Sequence, residues 1–414
     1  MLTSSDIIQL KKDYFFPNAM HFYKNPPHIV KGAGQFLYDD QGKCYRDFFA
    51  GVTVVNCGHC EPAITQKTTT QLQTLQHTSI IYLTEPMVLL AERLAKYLPG
   101  DIKNTFFCCS GTEANEGALL LARLHTGKRG FIAFEGGLHG RSALTMSVTG
   151  IPMWRIDPFL DPNVYFAKGF MGSEADIKAI SNASLESVEH ILKTNADEIA
   201  ACIVEPIQGN GGINIPHRTF FKRLKTLLES YGVLLITDEV QTGFARTGKM
   251  FAIEHFDVVP DIITMAKALG NGVPVGAFSA RPHIAKSFNK PSASTLGGNP
   301  VSMSTGLAVL DFIEDNKLCK QSEDLGNYLK EKLLQLKNEF KMIEDVRGLG
   351  LMVGMTLSSS EIVDQILEKM LQKGFIVGKN GMNRDVIALQ PPLVIHKADI
   401  DLLIQAFKEA FTEL

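Results

Sequence analysis

The stretch VLLITDEVQTGFARTGK, residues 233–249, runs from five apolar or small residues straight into two adjacent carboxylates, Asp238 and Glu239, then through a glycine turn to two cations. A short, continuously apolar and β-branched run reads as a strand buried on both faces. Carboxylates at the end of such a strand are costly unless a positive or hydrogen-bonding group meets them. Either another part of the chain answers them, or a ligand does.

Working outward, the same texture repeats between about 100 and 280. Apolar runs (TFFCC, GFIAF, AACIVEP, VLLITDE, DIITMAKA, PVGAFSA) alternate with helical periodicities such as EANEGALLLARLHTG and RTFFKRLKTLLESYG. That alternation predicts an α/β fold with a mostly parallel sheet covered by helices on both faces. From about 300 the helices lengthen and the apolar pieces between them shorten (LMVGMTL, FIVG, VIALQ), which reads as a smaller α+β unit. The first residues join it through QFLYDDQGKCYRDFFAG, a hairpin turning at Asp40-Gln41-Gly42. The expected division is 1–50 and 301–414 for the small domain and 51–300 for the large one, with the ligand cleft between them.

With 414 residues, 45% of them hydrophobic, the chain can bury a large core. Its formal charge of −3, without a long Lys/Arg run, argues against nucleic acid or an anionic membrane as partner and leaves a small molecule. No 18-residue apolar run exists, and charges interrupt MLTSSDIIQLKKDYFFP where a signal peptide would be apolar, so the expected location is the cytoplasm. Seven cysteines, an odd number, suggest free thiols. Cys57 and Cys60 in NCGHC have redox spacing, but no second CxxC follows to complete a metal site.

Two further segments carry chemistry. CCSGTEANEGALLLAR, residues 108–123, leaves a strand and enters a helix through Ser110, Gly111 and Thr112. Small residues there let backbone amides approach an anion at the positive helix end, although plain N-capping would look the same. The GKS/T of a P-loop and the dinucleotide glycine fingerprint are both absent. In DIITMAKALGNGVPVG, Lys267 closes another apolar strand. Lysine in such a place is ion-paired or functional, and a desolvated amine is the nucleophilic form. A phosphate cradle, a buried strand-end aspartate and a strand-end lysine together describe pyridoxal 5'-phosphate.

At this point the chain resembles the class III aminotransferases of pyridoxal phosphate fold type I, the group of ornithine, 4-aminobutyrate and alanine–glyoxylate type 2 enzymes. The resemblance runs from DFFAGVTVVNCGHCEP through SGTEANE, EPIQGNGGI, ITDEVQTGFARTGK, the lysine segment and STLGGNP to QPPLVI. It implies a seven-stranded large-domain sheet, Lys267 as the Schiff-base lysine and proton shuttle, Asp238 as partner of the ring nitrogen, and Ser110, Gly111 and Thr112 as the phosphate site. It places Val240 and Leu138 against the ring, His139 and Glu205 beside it, and Gln241 at the ring hydroxyl. Thr295 would complete the phosphate site of the other subunit in a homodimer with shared active sites. Arg141, Tyr82 and Val54 are the implied substrate contacts, and no metal is implied. GHCEP matches a family element, which removes the redox reading of the two cysteines.

The implied reaction moves an amino group between an amine or amino acid and a keto acid, ping-pong, through pyridoxamine phosphate. A lyase or epimerase of the same family is the alternative. Three departures bear on substrate. Leu138 stands where the family has an aromatic, Asn210 where many members have glutamate, and Ala388 where an arginine binds the substrate carboxylate, ALQPPL against RLAPPL. Losing both halves of one ion pair is self-consistent, since losing one would strand a buried charge. Without that arginine, the expected substrate lacks a carboxylate at this spot unless another cation, such as Arg384, replaces it.

Overall fold

The computed structural model describes residues 2–18 and 21–414. Its centre is a seven-stranded sheet: β1 (Asn104–Cys108), β2 (Gly130–Phe134), β3 (Val164–Ala167), β4 (Ile199–Val204), β5 (Leu234–Asp238), β6 (Ile262–Met265) and β7 (Gly276–Ala280). The spatial order is β1-β7-β6-β5-β4-β2-β3, with β7 antiparallel to both its neighbours and every other pairing parallel. Strands β2, β4, β6 and β7 are buried at every residue, as their largely apolar sequences require when helices cover both faces. The short edge strand β3 is half-buried and was not foreseen.

Helix α1 (Gly111–Thr126) starts at Ser110, whose Oγ accepts the Glu113 N–H at 3.2 Å, and ends at Gly127 with φ +70°. Its inner face is made of Ala114, Asn115, Ala118, Leu119 and Ala122. Gly117 lets it lie directly on β7, because a Cβ there would come within 2.3 Å of the Phe278 ring.

The chain ends build two four-stranded sheets. The expected hairpin, Phe36–Asp39 with Cys44–Asp47, turns at Gly42 and pairs in parallel with Phe375–Ile376 from the far end of the sequence. Strands Ile343–Leu349, Met352–Leu357, Val386–Leu389 and Gly378–Asn380 form the other sheet. The sequence boundary near 300 falls at the start of helix Pro300–Asp315. That helix packs on helices Pro62–Thr74 and Glu85–Tyr97, with Thr305 and Thr68 hydroxyls 2.8 Å apart.

The two cations of the opening stretch part company. Lys249 is exposed at the surface, whereas Arg246 is wholly buried. Arg246 Nη1 donates to the carbonyls of Leu351 at 2.8 Å and Pro391 at 2.6 Å, and Nη2 donates to Asn56 Oδ1. Burial pulls its guanidinium down to about 9. It ties the turn after β5 to both ends of the chain.

Candidate active site

The C-terminal ends of β1, β2, β4, β5 and β6 point to one edge of the sheet, where open α/β folds place their ligands. A cavity of about 330 Å³ opens there.

Asp238, the last residue of β5, is met by three donors. Its Oδ2 accepts from Asn115 Nδ2 at 2.8 Å and lies 2.7 Å from His139 Nδ1, while Oδ1 accepts the Val240 N–H at 3.0 Å. Asn115 is itself fixed, giving its other N–H to the His139 carbonyl at 2.7 Å and accepting from Thr264 Oγ1 at 2.6 Å. The carboxylate is therefore oriented from α1, β6 and the loop after β2 at once. Glu239 points elsewhere: it accepts the Ala252 and Ile253 N–H groups at 3.0 and 2.7 Å and the Thr242 hydroxyl, closing a helical turn away from the cavity. Burial raises its carboxyl to about 7.

Lys267 follows β6 in a left-handed backbone conformation, φ +45°, uncommon for a residue with a Cβ. Burial pushes its amine below the ordinary lysine range, opposed by the nearby Asp238 and Glu205 carboxylates. Glu205, just after β4, is raised to about 7 by its own burial. Its two oxygens accept the Leu138 and Gly209 N–H groups at 2.8 and 2.9 Å, so it ties the loop after β2 to the hairpin Gln208–Asn214.

At the mouth of α1, Ser110 engages the Glu113 and Ala114 amides. The Gly111 and Thr112 N–H groups remain without an acceptor among the described residues, at the positive end of a 16-residue helix. A Cβ on Gly111 would stand 2.7 Å from Val240 Cγ1, so any larger residue would push Val240 aside. Gln241 is 5% exposed, and both atoms of its carboxamide lack a partner.

These features suit pyridoxal phosphate: the free amides of Gly111 and Thr112 would take the phosphate, Gln241 the ring hydroxyl, Asp238 the ring nitrogen, and Lys267 the aldehyde carbon. Val54, Ser110, Gly111, Thr112, Leu138, His139, Glu205, Asp238, Val240, Gln241 and Lys267 all line the cavity. Arg141, Tyr82 and Thr295 do not; they are exposed on this chain. Asn210 lines the cavity, but Ala388 is buried among Phe49, Ile207, Ile213 and Met352. The Arg384 guanidinium lies 5.8 Å from the Phe22 ring centroid, outside the cavity wall. Among the described residues no arginine lines the site.

Asn115 was missed from the sequence. Its signal is a carboxamide on the otherwise apolar inner stripe of α1, which only an internal polar partner explains.

The Aminotransferase class-III family matches residues 20–411. The mitochondrial alanine–glyoxylate aminotransferase 2 homolog 2 of Arabidopsis thaliana is 40% identical, over 99% of this chain and 88% of that protein. The acetylornithine aminotransferase of Methanocaldococcus jannaschii is 37% identical over the full length of both. An amine transaminase from an uncultivated Pseudomonas species, solved with pyridoxal phosphate bound, superposes with a TM-score of 0.91 at 26% identity, covering 97% of this chain and 98% of that one. The chain belongs to the class III aminotransferases, which depend on pyridoxal phosphate.

Proposed function

We propose that the protein transfers an amino group from an amine or ω-amino compound without a carboxylate at the Ala388 position to a keto acid, by a ping-pong cycle. The observation that carries the substrate class is the cavity wall: it holds Lys267 and the Glu205 and Asp238 carboxylates but no arginine. A carboxylate-bearing donor would find no bidentate partner in this cavity wall, whereas Leu138, Val54, Val240 and Val273 offer an aliphatic wall. The amine transaminase among the similar structures is consistent with that class.

Bound pyridoxal phosphate supplies an electron sink for the pair left when a C–H bond of the donor breaks, and stores the amino group between half-reactions. The chain does the rest. Desolvated Lys267 keeps a larger share of its amine neutral than a surface lysine does, so it can act as nucleophile and then move the donor's proton as a general base and acid. Asn115 and His139 hold Asp238 in one orientation. Val240, with its N–H on Asp238, forms the floor beside Gly111. Glu205 fixes Leu138 and the Gln208–Asn214 hairpin, which set the cavity walls.

We further infer a homodimer. Exposed Ile81, Tyr82 and Leu83, and Leu296 beside Thr295, form apolar surface that a second subunit would cover. Thr295 and Tyr82 then reach the partner's cavity, which accounts for their exposure in a single chain.

The test is a panel of half-reactions. Purified holoenzyme is mixed with simple amines, 4-aminobutyrate or common α-amino acids, followed by cofactor absorbance, and then given pyruvate or 2-oxoglutarate. Amines should change the absorbance and a keto acid should restore it. Rapid conversion by α-amino acids alone would sink the amine assignment. No conversion with any donor would sink transamination in favour of elimination or epimerisation.

A further inference from the structure

On the far side of the Gln208–Asn214 hairpin from the active site lies a second cavity, of about 240 Å³. The hairpin is closed by reciprocal backbone bonds, Gln208 N–H to Asn214 O at 3.0 Å and Asn214 N–H to Gln208 O at 3.2 Å. Asn210 at its tip faces the cofactor cavity, whereas Gly211 and Asn214 face the second one. One loop thus forms a wall of both.

Asn214 is 1% exposed. Its Nδ2 donates to the Gly211 carbonyl at 2.9 Å, but its Oδ1 has no partner among the described residues. A buried acceptor left unmet is destabilising, so it marks a place for a donor. The carboxylates of Asp385 and Glu344 line the same cavity, and neither makes an ion pair among the described residues. Arg347 is also in the wall, but its donors are spent: Asp345 at 2.9 Å, Thr356 Oγ1 at 2.7 Å, and the carbonyls of Ile213 at 3.1 Å and Gly212. Arg384, beside Asp385, lies over the Phe22 ring. Three carboxylates against one committed arginine leave the cavity negative and rich in acceptors. No group of three or more His, Cys, Asp or Glu among the described residues is arranged to hold a metal ion. Spread acceptors beside the aliphatic Val386 and Met382 instead match an organic cation with several N–H donors and a carbon body.

We propose that this cavity binds a small alkylammonium ion, its N–H groups on Asn214 Oδ1 and Asp385 and its carbon body on Val386 and Met382, and that its occupancy adjusts the active site through the hairpin. The coupling is a short chain of contacts. Gly381, in the cavity wall, donates its N–H to the Asn210 carbonyl at 3.0 Å; Asn380 Nδ2 donates to the Gly209 carbonyl at 2.9 Å; and Gly209 N–H is held by Glu205. The proposal does not depend on which donor the enzyme uses.

The probe is tert-butylammonium, which has no hydrogen on its amine-bearing carbon and cannot be turned over. It is titrated calorimetrically into the holoenzyme at low salt while cofactor absorbance is recorded, so any reaction at Lys267 is seen separately. Binding should occur without an absorbance change, weaken with added NaCl, and weaken at least fivefold in Asp385→Asn and in Asn214→Leu. The probe should shift the donor KM at least twofold in the wild type and not in Asp385→Asn, whose basal turnover is unchanged. If Asn214→Leu fails to fold, Asp385→Asn decides alone. Equal affinity in wild type and Asp385→Asn, no binding at all, or heat that tracks the absorbance would overturn the proposal.

Discussion

Replacing Gly111 with alanine tests the phosphate cradle at the point where the geometry is tightest. The new Cβ would lie 2.7 Å from Val240 Cγ1, 3.1 Å from Cγ2 and 3.5 Å from Ala266 Cβ. Ordinary carbon contacts are about 3.5–4.0 Å, so Val240 Cγ1 must retreat by roughly 1 Å. Valine does this only by a χ1 change or a small backbone shift toward the open cavity, since its χ1 is stiff and its backbone is tied to Asp238. In the apoenzyme the side chain can yield into the cavity, and alanine suits a helix start better than glycine. With cofactor bound, the ring would fill that space, so the strain of about 1–3 kcal/mol falls on binding. At 1.4 kcal/mol per decade, pyridoxal phosphate affinity should drop about 5- to 150-fold while apoenzyme melting barely moves. Titrating apoenzyme with cofactor, followed by absorbance, measures it. Affinity within about twofold of wild type would refute the claim that α1 and Val240 clasp the cofactor here.

Replacing Asn115 with leucine removes a hydrogen bond to a charged carboxylate, worth about 1.5–3 kcal/mol; kcat should fall about tenfold or more with little change in donor KM, and steady-state kinetics reads the split. Glu205 and Glu239 both stand at about 7 in the fold against 4.5 ordinarily. Because their folded values are raised, the stability they contribute is full below about pH 4.5 and lost as pH rises to about 7, by at most roughly 3 kcal/mol each. Urea unfolding of apoenzyme at pH 5 and 7.5 should show that loss, and it should shrink in Glu239→Gln. Placing arginine at Ala388 alone puts a charge among Phe49, Ile207, Ile213 and Met352 and should cost about 3–5 kcal/mol in denaturant melts. Adding Asn210→Glu should recover part of it and raise activity toward donors with an α-carboxylate; purely additive effects would show that the two positions do not communicate.

Much of the sheet was legible because strands covered on both faces must be largely apolar, and four of its strands are buried at every residue. Val164–Ala167 escaped although VYFA is apolar, because it is only four residues long and, half-buried at the sheet edge, is not flanked by the buried texture of the other strands. Lys267 and Asp238 were legible for the opposite reason: ionisable groups closing buried strands demand an explanation. Asn115 was harder to read: the apolar stripe of α1 marks it as facing inward, but nothing local names Asp238, over a hundred positions away, as its partner. Resemblance assigned Arg141, Tyr82 and Thr295 by position, yet their exposure depends on what covers them, and one chain does not determine that. At Ala388 the informative feature was a residue type that is missing, visible only beside a family pattern.

Arg246 carries a last consequence. Two of the three groups it binds are main-chain carbonyls, those of Leu351 and Pro391, which any residue supplies. Grafting the C-terminal third of a relative onto this protein should therefore tolerate wide changes of side chain near 351 and 391. A single inserted or deleted residue there would slide the carbonyls off a guanidinium that has no water to turn to. For anyone building hybrids of this enzyme, loop length at those two places is the constraint to preserve, ahead of sequence identity.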